Sequence, residues 1–81
     1  MKVRVKLFSA FREVVGTKEE DLELPDGTTV SGLLDDYVRR FPALERYRDH
    51  IILSVNREYG APSRVLRAGD EVSFLPPVTG G

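Results

Sequence analysis

The sequence predicts a single α+β domain, with strands at both ends and one dominant helix between them. Three observations carry this. Residues 2–7 alternate between polar and apolar, and so do residues 71–74, as half-buried strands require. Val30, Leu33, Leu34, Tyr37, Val38 and Phe41 recur at helical spacing and form one apolar stripe. A length of 81 residues allows one core and no second. Residues 1–75 are read as the domain and residues 76–81 as an extended C-terminal tail.

The elements follow in order. Val3, Val5 and Leu7 form the inward face of the first strand, opposite Lys2, Arg4 and Lys6. Phe8 breaks the pattern, because alternation puts it on the polar face. Ser9 is positioned to cap a short helix with Phe11, Val14 and Val15 inward, and Gly16 supplies a left-handed C-terminal cap. Leu22 and Leu24 alternate in a second strand, which Pro25-Asp26-Gly27 ends as a turn.

Thr29 caps the main helix. Asp35 and Asp36 precede Arg39 and Arg40 on its polar side, an order that suits the helix dipole. Pro42 disfavours helical backbone at Phe41 and helps to end it. Residues 43–50 allow one more helical turn. Ile51 to Val55 reads as a buried strand, Asn56-Arg57 as a turn, and Glu58-Tyr59 as a short return. Leu66 to Asp70 is a further turn, and in the last strand Val72 and Phe74 face inward. The order is β-(α)-β-α-β-β-β.

Composition narrows the function. Twelve Lys and Arg face 13 Asp and Glu, a net charge of −1, so the basic excess usual in nucleic-acid binders is missing. Without cysteine there is no disulfide, thiolate metal site or Cys nucleophile. His50 is the sole histidine, so no two-histidine metal site is expected; it reads as a solvated loop residue. Ile51-Ile52-Leu53 is the longest apolar run, far below the ~20 residues that span a bilayer. The alternating N-terminal segment lacks the continuous apolar run of a signal peptide. The expectation is a soluble cytoplasmic domain with no bound metal or cofactor, no catalytic set of its own, and a protein partner.

The tail is the most informative segment. Pro76-Pro77-Val78-Thr79-Gly80-Gly81 carries no side-chain charge. Its prolines hold an extended backbone and stop the last strand. Its glycines pass through narrow channels, and a terminal glycine leaves its carboxylate sterically open. From the Gly-Gly pair alone, a frayed end or a linker is as good an account as a working tail.

The wider pattern separates these accounts. Leu75-Pro76-Pro77-Val78-Thr79-Gly80-Gly81 resembles the end of the molybdopterin synthase small-subunit family, the MoaD-type ubiquitin-like sulfur carriers. Leu7 to Gly16, Thr28-Thr29-Val30, Val55-Asn56-Arg57-Glu58-Tyr59 and Gly69-Asp70-Glu71-Val72 resemble further segments of that family. Tyr59 stands where members often carry an aliphatic residue. The resemblance implies a β-grasp fold: a mixed sheet packed on one main helix, with a short extra helix after the first strand.

The resemblance also implies a chemistry. A ubiquitin-activating-like adenylyltransferase uses ATP to adenylate Gly81, and a sulfur donor converts the adenylate to a thiocarboxylate. Gly80 is the slender neighbour. The tail, Pro76, Pro77, Val78 and Thr79 included, then enters the large synthase subunit and gives sulfur to cyclic pyranopterin monophosphate. Two carriers supply the two sulfurs, in a heterotetramer. In a β-grasp fold the first and last strands are parallel neighbours, so Phe8 and Leu75 are expected side by side, with Tyr59 joining them as a docking patch. Phe8 as scattered apolar surface is the plainer alternative. A carrier for thiamine thiazole synthesis or tRNA thiolation, and a protein modifier, are alternatives for the whole chain.

Overall fold

The computed structural model describes residues 1–76. Expectations for residues 77–81 lie outside the described residues. The elements are β1 (Lys2–Leu7), α1 (Ser9–Val15), β2 (Glu19–Glu23), α2 (Val30–Arg40), a 3-10 helix (Pro42–Tyr47), β3 (Ile52–Val55), β4 (Glu58–Tyr59) and β5 (Glu71–Leu75). The five strands form one sheet in the order β2-β1-β5-β3-β4. β1 and β5 are parallel at its centre, and the other pairs are antiparallel. This is the β-grasp arrangement.

One face of the sheet is buried against α2. Val3, Val5 and Leu7 of β1, Val72 and Phe74 of β5, and Leu53 and Val55 of β3 meet Val30, Leu33, Leu34 and Tyr37. The alternation in β1 and β5 and the stripe on α2 are therefore two halves of one core. Phe74 lies at its centre, with edge-on ring contacts to Tyr37 at 4.9 Å and Phe11 at 6.4 Å between centroids.

The termini of α2 follow the sequence. The Thr29 hydroxyl accepts from the Gly32 amide at 3.0 Å, and the helix stops before Pro42. α1 differs in its start. Ser9 does not cap it: Phe8 holds the capping position without a side-chain bond, and Ser9 is the first helical residue, at φ 52°. The helix starts one residue earlier than a serine cap would place it, and the change of direction falls on Ser9. At the other end, Gly16 takes φ 91° and its amide returns to the Arg12 carbonyl, the expected left-handed cap.

The Asn56-Arg57 turn is tied to the turn before β5. Both residues have positive φ, 51° and 70°, as a two-residue hairpin of primed type requires. The Asn56 amide donates to Asp70 at 2.9 Å, and its carbonyl oxygen accepts from the Glu71 amide at 3.0 Å. Asp70 is buried, and its other oxygen accepts from the Arg67 amide at 2.8 Å. Replacing Asn56 by Ala strips one partner from a buried carboxylate and one from a backbone amide. The expected loss is about 1–3 kcal/mol, read as a lower urea midpoint at unchanged slope. An unchanged midpoint would show that water replaces the amide at no cost.

Candidate functional site

The strand register builds the site. β1 and β5 run in the same direction, so both end at one edge of the sheet, the edge that leads into the tail. Lys6 pairs with Ser73 and Leu7 with Phe74. Phe8 keeps extended backbone, at φ −122° and ψ 154°, so the next step of the register sets it opposite Leu75. On the other side of β5, Leu75 pairs with Ile52. Across this edge the order is Phe8, Leu75, Ile52.

These residues face away from the core. Their register neighbours Leu7, Phe74 and Leu53 are buried, and alternation turns the next residue outward. Phe8 is 42% exposed and Ile52 38%, while Leu75 between them is half-buried. The anomaly at Phe8 is thus one end of a three-strand apolar row rather than an isolated side chain.

Tyr59 is placed differently from the expectation. It shares the outer face and is 71% exposed, but it pairs with Ser54 on the edge strand. The row through Ser54 is Lys6, Ser73, Ser54, Tyr59, one step further from the tail. Phe8 and Leu75 come together, and Tyr59 stands at the rim. Ile52 takes the inner place. Ile52 is no candidate in the sequence, where residues 51–55 read as a buried strand. The signal was present: with Leu53 and Val55 inward, alternation alone sends Ile52 out.

Pro76, exposed, follows Leu75 directly. Gly80, Gly81, Pro77, Val78 and Thr79 lie outside the described residues.

The remaining polar candidates hold the fold. His50 is exposed. Asp35 pairs with Arg48 at 2.7 Å, Asp36 with Arg39 at 3.6 Å, and Arg40 with Glu20 at 3.0 Å. Two of these bonds tie α2 to other elements, and the Asp36–Arg39 pair lies within the helix. The buried Tyr37 donates its hydroxyl to the same Glu20 oxygen as Arg40. Burial, then the bond to Glu20, pushes the Tyr37 hydroxyl far above its ordinary pKa, so it stays a donor. Among the described residues no group of three or more His, Cys, Asp or Glu is placed to hold a metal ion. No helix among them is long and apolar enough to cross a membrane.

The geometry is that of a domain presenting an apolar edge beside its own C-terminal segment. A model of the ThiS family matches residues 5–81. The chain belongs to the ThiS family. A relative of this ThiS-family chain is the molybdopterin synthase sulfur carrier subunit of Mycobacterium tuberculosis. The two are 38% identical over 82 residues, which cover 100% of this chain and 99% of that one. Among solved structures, SAMP1 from Haloferax volcanii aligns with a TM-score of 0.85 at 34% identity, covering 100% of both chains. A putative molybdopterin converting factor subunit 1 from Pyrococcus furiosus aligns with a TM-score of 0.82 at 31% identity, over 96% of this chain and 99% of that one. The resemblance read from the sequence, and the β-grasp fold it implied, are borne out.

Proposed function

We propose that this ThiS-family chain is the sulfur-carrier subunit of a molybdopterin synthase, and that Gly81 is its working group. One observation carries the reading: the Pro-Pro-Val-Thr-Gly-Gly ending closes a chain whose full length aligns with proteins named molybdopterin synthase sulfur carrier subunit.

The chemistry is the partner's, and the carrier supplies the acyl group. A carboxylate is a poor acyl electrophile. Its oxygen attacks the α-phosphorus of ATP in the adenylyltransferase, pyrophosphate leaves, and the acyl-adenylate gains AMP as leaving group. A persulfide donor then attacks the acyl carbon through its outer sulfur: a C–S bond forms and the C–O bond to AMP breaks. A thiol next attacks the donor's inner sulfur, the S–S bond breaks, the donor leaves as a disulfide with that thiol, and Gly81 ends in a thiocarboxylate. That soft nucleophile, held in the large subunit, attacks cyclic pyranopterin monophosphate through its sulfur, and water then cleaves the acyl C–S bond, which leaves the sulfur on the pterin and returns the Gly81 carboxylate. Gly80 keeps the approach narrow, and Pro76, Pro77, Val78 and Thr79 carry the terminus from the body into the partner. Phe8, Leu75 and Ile52 dock on that partner, with Tyr59 at the rim. Two such carriers and two large subunits make up the synthase, and the carrier alone turns nothing over.

The direct test is mass spectrometry of the intact chain after incubation with the activating enzyme, ATP and a sulfur source. The expected result is the mass of one sulfur replacing one oxygen, located on Gly81. Unmodified chain under conditions that load a known carrier would overturn the reading.

A second reading has its own observation, the likeness to SAMP1, a small archaeal modifier protein. A modifier joins Gly81 to a lysine by an isopeptide bond. Trypsin cuts such a conjugate after Arg67, the last basic residue, so the mark on the target lysine is the whole segment 68–81. Finding that branched peptide in cells, with no terminal thiocarboxylate, would replace the first reading with the second.

A further inference from the structure

Beside the apolar row lies a shallow cleft of about 240 Å³, lined by Lys6, Leu7, Phe8, Arg12, Lys18 and Glu19. Three cations, from β1, α1 and the bend before β2, meet there with the Glu19 carboxylate around one exposed ring. The placement has local causes. Ser9 at φ 52° turns the chain from strand to helix in a single residue, so Arg12 comes one helical turn after Phe8, on the cleft. The Leu7 amide donates to the Lys18 carbonyl at 2.9 Å, which fixes Lys18 against the end of β1. Lys6 pairs in register with Glu19 and reaches Glu71 at 3.6 Å. Arg12 and Lys18 make no ion pair among the described residues, and both are exposed.

Most other arginines are spent inside the molecule: Arg4, Arg39, Arg40, Arg48 and Arg64 all contact carboxylates. A left-handed serine is strained and persists where the surroundings hold it. Here the strain sits at the one junction that sets Phe8 and Arg12 on the same cleft.

We propose that Lys6, Arg12 and Lys18 form a cationic collar around Phe8 that receives an acidic surface of the protein into which the tail is inserted. This rests on the reading that the edge of Phe8, Leu75 and Ile52 docks on that protein. The apolar row supplies desolvated contact, and the collar supplies orientation and speed of encounter. The cations lie to the β1 side of the tail's exit, so an acidic counterpart on one side of the partner's channel fixes which way the domain turns as the tail enters. Charges at the rim act mainly on the association rate and are screened by salt.

The test compares charge reversals by surface-bound or stopped-flow binding to the synthase large subunit. Arg12→Glu with Lys18→Glu is expected to weaken binding about tenfold or more at low ionic strength, mostly through slower association. Its affinity should also depend less on salt than that of the wild type. Arg12→Gln with Lys18→Gln should give a smaller loss in the same direction and guards against misfolding of the reversed pair. The control, Arg57→Glu with Arg67→Glu, makes the same change in net charge at the far end of the sheet and should bind within about twofold of wild type. The collar is overturned if both pairs at the cleft bind with wild-type affinity and salt dependence while Phe8→Asp loses binding. It is equally overturned if the control pair weakens as much as the cleft pair, since net charge then does the steering. Normal binding by Phe8→Asp removes the docking edge itself.

Discussion

Deletion of Gly81 is expected to abolish thiocarboxylate formation while leaving the domain intact. The deletion moves the terminal carboxylate back by one residue, at most ~3.6 Å. Acyl activation needs the carboxylate oxygen aligned with the α-phosphorus, and a misplacement of ~1 Å already costs about a hundredfold in rate. The loss should therefore exceed about a hundredfold. Among the described residues the core cluster ends at Phe74, and the thermal midpoint should not move. Appending one residue after Gly81 should be as damaging, because the wanted carbonyl is then locked in a peptide bond. The readout is mass gain on the intact chain with activating enzyme, ATP and sulfur source. Sulfur on the shortened chain, or on any group but the terminal glycine, would overturn the mechanism.

Much of the architecture was legible because single periodicities coincide with single faces. Val72 and Phe74 had to face the stripe on α2, and both are fully buried. Thr29 and Gly16 marked helix ends by local chemistry that tertiary packing did not override. Ser9 misled for the opposite reason. Serine is a good cap, but the ladder with β5 ends at Leu7, and the chain turns into the helix at Ser9 itself, which leaves the cap one residue earlier at Phe8. The ties from α2 to Glu20 and Arg48 were illegible, since partners 20 and 13 residues apart are brought together only by the fold.

The docking edge was half legible. The wrong-face aromatic at Phe8 was visible in the alternation, and parallel pairing of the first and last strands put Leu75 beside it. Which strand lies on the other side of β5 is a matter of topology. Once β3 takes that place, Ile52 completes the row and Tyr59, two strands from β5, moves to its margin.

That topology ranks the expected losses when the edge is charged. Leu75→Asp sets a carboxylate at the middle of the row, flanked by Phe8 and Ile52. Docking strips water from that position on every side, and an unpaired charge there costs several kcal/mol. Affinity for the large subunit should fall more than a hundredfold. Phe8→Asp and Ile52→Asp, at the ends of the row, should each cost tenfold or more. Tyr59→Asp, 71% exposed on the edge strand, should cost least, because the rim of an interface stays wet. All four side chains lie on the outer face, where substitutions usually shift stability by no more than about 0.5 kcal/mol, so thermal midpoints should stay within a few degrees. Calorimetric binding titrations measure the order, and thermal melts check the fold. A larger loss at Tyr59 than at Leu75 would move the contact to the β4 edge. Wild-type binding by Leu75→Asp would mean that the partner grips the tail alone.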